Sequence, residues 1–204
     1  MSSASALQPL TLQGRFVSLE PLGAEHAQPL LEAVGNDAEE IFRWIPYPMR
    51  TLQDFESWVK TAFAEQDRGE SIVFVTREIA TGQFIGSTRF MNISLANRRV
   101  EIGSTWIIPR WQRTTVNSEA KYLMLRHAFE TLGCIRVELK TDVLNQKSRD
   151  AILRLGAKQE GIFRRHLITF TGRIRDTVYF SILDDEWPQV KAALEAKLNR
   201  HTPA

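Results

Sequence analysis

"IIPRWQRTTVNSEAKYLML", residues 107–125, decides how the chain is read. It passes from an apolar stretch through a proline and a polar knot into helical periodicity. Met124, Leu125, Ala128, Phe129 and Leu132 fall on one helical face, with Glu119, Arg126 and Glu130 on the other. A strand thus gives way to a helix near Pro109. Such a joint exposes backbone N–H groups without intrahelical partners at the positive end of the helix dipole. Arg110 and Arg113 can add charge, and Thr114, Thr115, Asn117 and Ser118 can donate hydrogen bonds. Two readings are open: a phosphate seat, or a plain joint in which Asn117 or Thr115 caps the helix and the arginines are solvated.

Working outward, "TLQGRFVSLEPL" (11–22) alternates as a strand and "GAEHAQPLLEAVGN" (23–36) reads as a helix ended by Gly35. "TLQDFESWVKTAFAEQDRG" (51–69) is an amphipathic helix with Thr51 or Asp54 as cap. "SIVFVTREI" and "QFIGSTRFMNI" flank Ala80-Thr81-Gly82 as a hairpin. "RRVEIGSTWII" (98–108) is the fourth strand of this reading. Downstream follow a strand over 134–143, a helix over 145–156, a second hairpin about Thr171 and Gly172, and a closing helix with Pro188 near its start. The order predicts an α/β chain (α+β) with a mixed sheet: a flexible lead over 1–10, then one domain over 11–200.

Composition bounds the partners. Lys plus Arg number 26 against 24 Asp plus Glu, a net charge of +2, which argues against a dedicated nucleic-acid binder. The single cysteine, Cys134, excludes an internal disulfide and a multi-cysteine zinc cluster, and reads as a buried inert thiol. No stretch approaches the ~18 uncharged apolar residues of a membrane span, and the N-terminus lacks the pattern of a signal peptide. The expectation is a cytoplasmic protein without membrane or nucleic-acid partners.

Gln112-Arg113-Thr114-Thr115-Val116-Asn117, between the fourth strand and the third helix, resembles the coenzyme loop of the GNAT superfamily of acyl-CoA transferases. That loop has Gln or Arg, two free positions, glycine, one free position, then glycine or alanine. Gln112 matches; Thr115 and Asn117 depart. A β-branched Thr115 resists the positive φ and close backbone approach that glycine permits. Farther on, "AFETLGCIRVELKTDVLNQKSRDAILRLGAKQEGIFRRH" resembles the branch of ribosomal-protein N-terminal (alanine) acetyltransferases. The resemblance is carried by Glu130 to Gly133, Asn145 and Ser148, Leu155-Gly156, Glu160-Gly161, Ile182-Leu183 and Glu186-Trp187.

The resemblance implies a GNAT-like fold: a mostly antiparallel twisted sheet with a splayed fourth and fifth strand pair and helices on both faces. It implies acetyl-CoA as cosubstrate, no metal, and coenzyme contacts at Ile107, Gln112, Arg113, Thr114, Thr115, Val116, Asn117, Ser118 and Asn145. The loop containing Trp44 and Tyr47 corresponds to the acceptor side, or packs over the core.

Amine attack on a thioester needs a neutral amine, a stabilised oxyanion and a proton for the leaving thiolate. The tyrosine that many family members place seven residues after the asparagine is absent here, where Ile152 stands. Ser148 is the branch's alternative acid, or simply a residue of the helix's first turn. Tyr179 substitutes if its strand reaches the cleft. Alternation places Glu101, Gly103 and Thr105 opposite Ile102 and Trp106, so Glu101 is either the amine's base or a partner for an arginine such as Arg89. Gly103 marks a bulge or ordinary packing. His127 and His166 read as structural or surface residues.

The leading expectation is an N-acetyltransferase acting on a small-molecule or peptide amine, as a monomer or homodimer. A noncatalytic acyl-CoA sensor or scaffold is the alternative. A dinucleotide-binding oxidoreductase is disfavoured because no Gly-x-Gly-x-x-Gly follows a strand.

Overall fold

The structure, a computed structural model, describes residues 9–200 apart from Pro46 and Pro48. Except for Pro9 and Leu10, the lead expected over 1–10 lies outside the described residues.

The first expected strand is two: β1 (Leu12–Gln13) and β2 (Val17–Pro21). Glu119 explains the break. Its carboxylate accepts the backbone N–H groups of Arg15, Phe16 and Val17 at 2.9, 2.6 and 2.9 Å, and a Cβ at Gly14 would lie 2.5 Å from it. Helical periodicity places Glu119 on the face opposite the apolar one, yet it is 4% exposed. The three amides replace the water a buried carboxylate otherwise requires.

The remaining strands are β3 (Ser71–Glu78), β4 (Phe84–Ser94), β5 (Arg99–Ile107), β6 (Arg136–Asp142), β7 (Lys158–Ile168) and β8 (Ile174–Leu183). Among the described residues they form one eight-stranded sheet in the order β1-β2-β3-β4-β5-β6-β8-β7. Neighbours are antiparallel except β5 and β6. Those two run parallel and pair only at Arg99–Arg136, Val100–Val137 and Glu101–Glu138. Beyond that rung they part, giving the expected splay.

Helices cover both faces. On one, α4 (Thr115–Arg126), running into a π-helical turn at His127–Thr131, and α6 (Trp187–Asn199) bury Val116, Leu123, Trp187 and Leu194 with Ile72, Phe74 and Ile102. On the other, α1 (Ala27–Val34), α2 (Ala38–Phe42) and α3 (Leu52–Asp67) bury Leu30, Phe42 and Phe55 with Val73, Val75 and Trp106. The α3 start carries the expected capping box between Thr51 and Asp54. A short helix, α5 (Gln146–Leu153), follows β6.

One expectation about β5 is corrected. Its register against β4 jumps from Arg89–Gly103 to Ser87–Trp106, so Ser104 and Thr105 together oppose Thr88. Ser104 takes φ +46. The bulge is thus one residue past Gly103, and the extra residue inverts the side-chain phase beyond it. Ile102 and Trp106, expected on one face, enter opposite cores. Thr105 faces α4 rather than sharing the side of Glu101.

Candidate active site

Pro109–Trp111 forms a 3-10 turn, and Gln112 Nε2 donates to the Ile107 carbonyl at 3.0 Å, tying the loop to the end of β5. Thr114 caps α4 from an extended conformation. Its hydroxyl donates to the Trp111 carbonyl at 2.8 Å and sits 3.4 Å from the Val116 amide. The left-handed residue of the loop is Arg113, at φ +62. Thr115 is the first residue of α4. The conformation that a β-branched side chain resists is therefore taken two residues earlier, by an unbranched one.

Around this helix start, Val116 is buried, Arg113 is exposed and Asn117 is half-buried with no partner for Oδ1. Arg110 is engaged by Gln83 at 2.7 Å. Lys197 of α6 donates to Ser118 Oγ at 3.1 Å, bringing to the first turn a cation that local sequence did not suggest. Asn145 caps α5, its Oδ1 accepting from the amide of Ser148 at 3.1 Å. Ser148 is half-buried in that first turn.

Against the paired stretch of β5 and β6 lies a groove of about 710 Å³, lined by Asn92, Arg99, Glu101, Glu138, Phe163 and Tyr179 among others. Glu101 is 1% exposed. Its Oε2 accepts from Asn92 at 2.8 Å and Lys140 at 3.0 Å, while Oε1 is buried without a partner. Arg89 pairs instead with Glu65 at 2.7 Å. Gly103 clears this corner, since a Cβ there would lie 2.7 Å from Met91 Sδ and 3.0 Å from Glu101 Oε1.

Lys140 Nζ stands 5.7 Å from the Tyr179 ring centroid, and Phe163 and His166 pack against the same ring. Burial, then the charges of Lys140 and Arg175, pushes the His166 imidazole below its ordinary pKa. The groove floor is charged but paired. Glu138 takes Arg99 at 3.1 Å and Arg136 at 2.8 Å, and Arg136 holds the Glu160 carboxyl down to about 2.

The loop after α2 meets the arginines at the β7–β8 hairpin and the start of β8. The Trp44 carbonyl accepts from Arg175 at 3.3 Å, and the Arg173 guanidinium lies 5.7 Å from the Trp44 ring. Both arginines converge on Asp142, fully buried at the end of β6. Tyr47 packs against the second core and its hydroxyl has no partner; Pro46 and Pro48 of the same loop lie outside the described residues.

The structure thus gathers Glu101, Tyr179 and His166 on one face, and sets the 112–118 loop at the end of β5. Lys140, Asn92 and Arg175 were not foreseen. The one available signal for Lys140 was the alternation of "RVELKTD", which puts Arg136, Glu138 and Lys140 on a common face. Cys134 is buried, its thiol pushed up to about 11 by desolvation.

Residues 17–158 match the acetyltransferase (GNAT) domain family. A GCN5-related N-acetyltransferase from Brucella melitensis, known as a crystal structure, is 36% identical with a TM-score of 0.87 over 94% of this chain and 86% of that one. RimJ of Mycobacterium smegmatis, solved in complex with CoA-disulfide, is similar in fold, with a TM-score of 0.82, 24% identity and coverage of 94% and 96%. YdaF of Bacillus subtilis (strain 168), which carries the provisional name of a ribosomal N-acetyltransferase, is 34% identical over 106 residues. That match spans 52% of this chain and 57% of the length of YdaF.

Proposed function

The chain belongs to the acetyltransferase (GNAT) family, and from that membership we propose an N-acetyltransferase that moves an acetyl group directly from acetyl-CoA to a primary amine. The acceptor is a protein N-terminus or a small-molecule amine, and residues 11–200 act as one catalytic domain. The fold alone would not license a mechanism. The observation that carries this one is Glu101: a buried carboxylate with one oxygen fixed by Lys140 and Asn92 and the other unpartnered, at the last paired rung before β5 and β6 separate.

In this reading the coenzyme's phosphates lie against the free amides at the start of α4, beside Arg113, with Gln112 and residues 114–118 shaping the seat. The pantetheine arm follows Ile107 into the splay, and Asn145 borders it from the far side. Thr115 takes ordinary helical backbone, so it does not by itself oppose such a seat. The amine enters from the groove past Trp44 and Tyr47. Glu101 Oε1 accepts the ammonium proton, directly or through water, leaving the nitrogen lone pair free to form the new N–C bond. As the C–S bond breaks, Ser148 donates its hydroxyl proton to the thiolate sulfur, and the second proton, released by the acylated nitrogen, returns through water to the Ser148 oxygen. Tyr179 is a second candidate for that acid, because its strand does reach the groove.

Calorimetric titration with acetyl-CoA, desulfo-CoA, NADH and ATP tests the coenzyme reading. Micromolar binding restricted to the CoA forms, with thiol release once amines are added, is the expected result. No CoA binding overturns the reading. Selective binding without thiol release from any amine leaves an acyl-CoA sensor.

A further inference from the structure

The β5 bulge holds a non-glycine residue, Ser104, at φ +46, a conformation that persists only where the surroundings enforce it. What enforces it lies on the face away from Glu101. Lys121, in α4, is 6% exposed, and its Nζ donates to Thr105 Oγ1 at 2.5 Å and to Thr88 Oγ1 at 3.0 Å. The two hydroxyls are 2.8 Å apart, and Thr105 Oγ1 also reaches the Gly103 carbonyl at 3.4 Å. Thr88 and Thr105 both lie in the stretch where the register slips. The ammonium therefore closes a triangle over the bulge itself.

This is an expensive place for a charge. The partners presented by β4 and β5 are neutral, and among the described residues no carboxylate forms an ion pair with Lys121. A buried cation without a counter-ion destabilises a fold that an apolar side chain of similar length would suit. Such a group is explained by what it holds in place.

We infer that Lys121 is a positioning residue of the proposed site: its buried amino group, acting through Thr105 and Thr88, fixes the β5 bulge that follows Glu101 and turns the end of the strand toward the splay. The inference rests on the acetyl-transfer reading.

The test compares wild type, Lys121→Met and Thr105→Val by four readouts. These are thermal unfolding, amide hydrogen exchange across Gly103–Trp106, acetyl-CoA affinity, and thiol release with spermidine or an alanine-initiated peptide. Lys121→Met is expected to unfold no lower than wild type and to bind acetyl-CoA with little change. Its bulge amides should exchange about tenfold faster, and its kcat should fall about tenfold or more with a smaller change in KM. Thr105→Val should move both in the same direction, and carries the comparison if Lys121→Met does not fold. Unchanged exchange and unchanged rate overturn the inference. Failure of wild type to bind acetyl-CoA overturns the acetyl-transfer reading instead, and the exchange comparison then decides the clamp alone.

Discussion

Lys140 meets Glu101 at 3.0 Å although the last paired rung joins Glu101 to Glu138, two residues earlier on β6. The contact therefore spans the point at which the strands part. It fixes one oxygen of a carboxylate 1% exposed and leaves the other unengaged, next to the space Gly103 keeps open. A base for an incoming ammonium needs this combination of a fixed position and a free lone pair.

Glu101→Gln preserves volume while removing the charge. Thiol release in the presence of amine should fall about 10²- to 10⁴-fold, the usual contribution of a positioned acid or base. Acetyl-CoA affinity, read by calorimetry, should stay within about threefold, equivalent to well under 1 kcal/mol. A wild-type rate would remove Glu101 from the chemistry.

Two hydroxyls compete for the role of thiolate acid, and their settings differ. Ser148 is in the first turn of α5, its amide bound to the Asn145 side chain, whereas Tyr179 lines the groove beneath Lys140. Ser148→Ala is expected to lower kcat by about 10²-fold with acetyl-CoA binding retained, and Tyr179→Phe to leave kcat within about threefold. The reverse pattern would transfer the role to Tyr179.

The coenzyme loop separates backbone from side-chain effects. Arg113 holds the positive φ, so Arg113→Gly relieves strain of about 1 kcal/mol, offset in part by the added freedom of the unfolded chain. Its denaturation midpoint should hold or rise, while loss of the exposed guanidinium weakens coenzyme binding, more at low salt than at high. Thr115→Gly should not tighten acetyl-CoA binding, because residue 115 already has helical backbone. A tenfold gain there, about 1.4 kcal/mol, would show that the β-branched side chain obstructs the phosphates.

Alternation and helical period located the strands and helices, and the splayed pair came with the family resemblance. Other features escaped for physical reasons. The bulge at Ser104 adds one residue to a period-two pattern, so every inference drawn across it, Thr105 and Trp106 included, changes face. Glu119 looks solvated on a helical wheel, because its partners are backbone amides 102 to 104 residues away, which no side-chain pattern reports. Lys140 comes to Glu101 only through the parallel pairing of β5 with β6, which is tertiary information. The same holds for Lys197 at the start of α4 and for Arg175 at the Trp44 carbonyl.

The Lys121 clamp leaves a signature in stability that is independent of turnover. Burial pushes its ammonium down to about 7 from an ordinary 10.5. A base with a lowered folded-state pKa is penalised wherever both states are protonated. The penalty is thus fully present below about pH 7. Between about pH 7 and 10.5 the unfolded chain binds the extra proton, so stability rises with pH across that window. At about 1.4 kcal/mol per pH unit the full span is on the order of 5 kcal/mol. Other groups titrate there too, Cys134 among them, but they are common to wild type and Lys121→Met and cancel in the difference. Denaturant unfolding at pH 6 and pH 9 should therefore find Lys121→Met more stable than wild type at the lower pH, with the gap narrowing at the higher. A gap that does not change with pH would mean that Lys121 is solvated in the folded protein, and that its ammonium does not sit under the bulge.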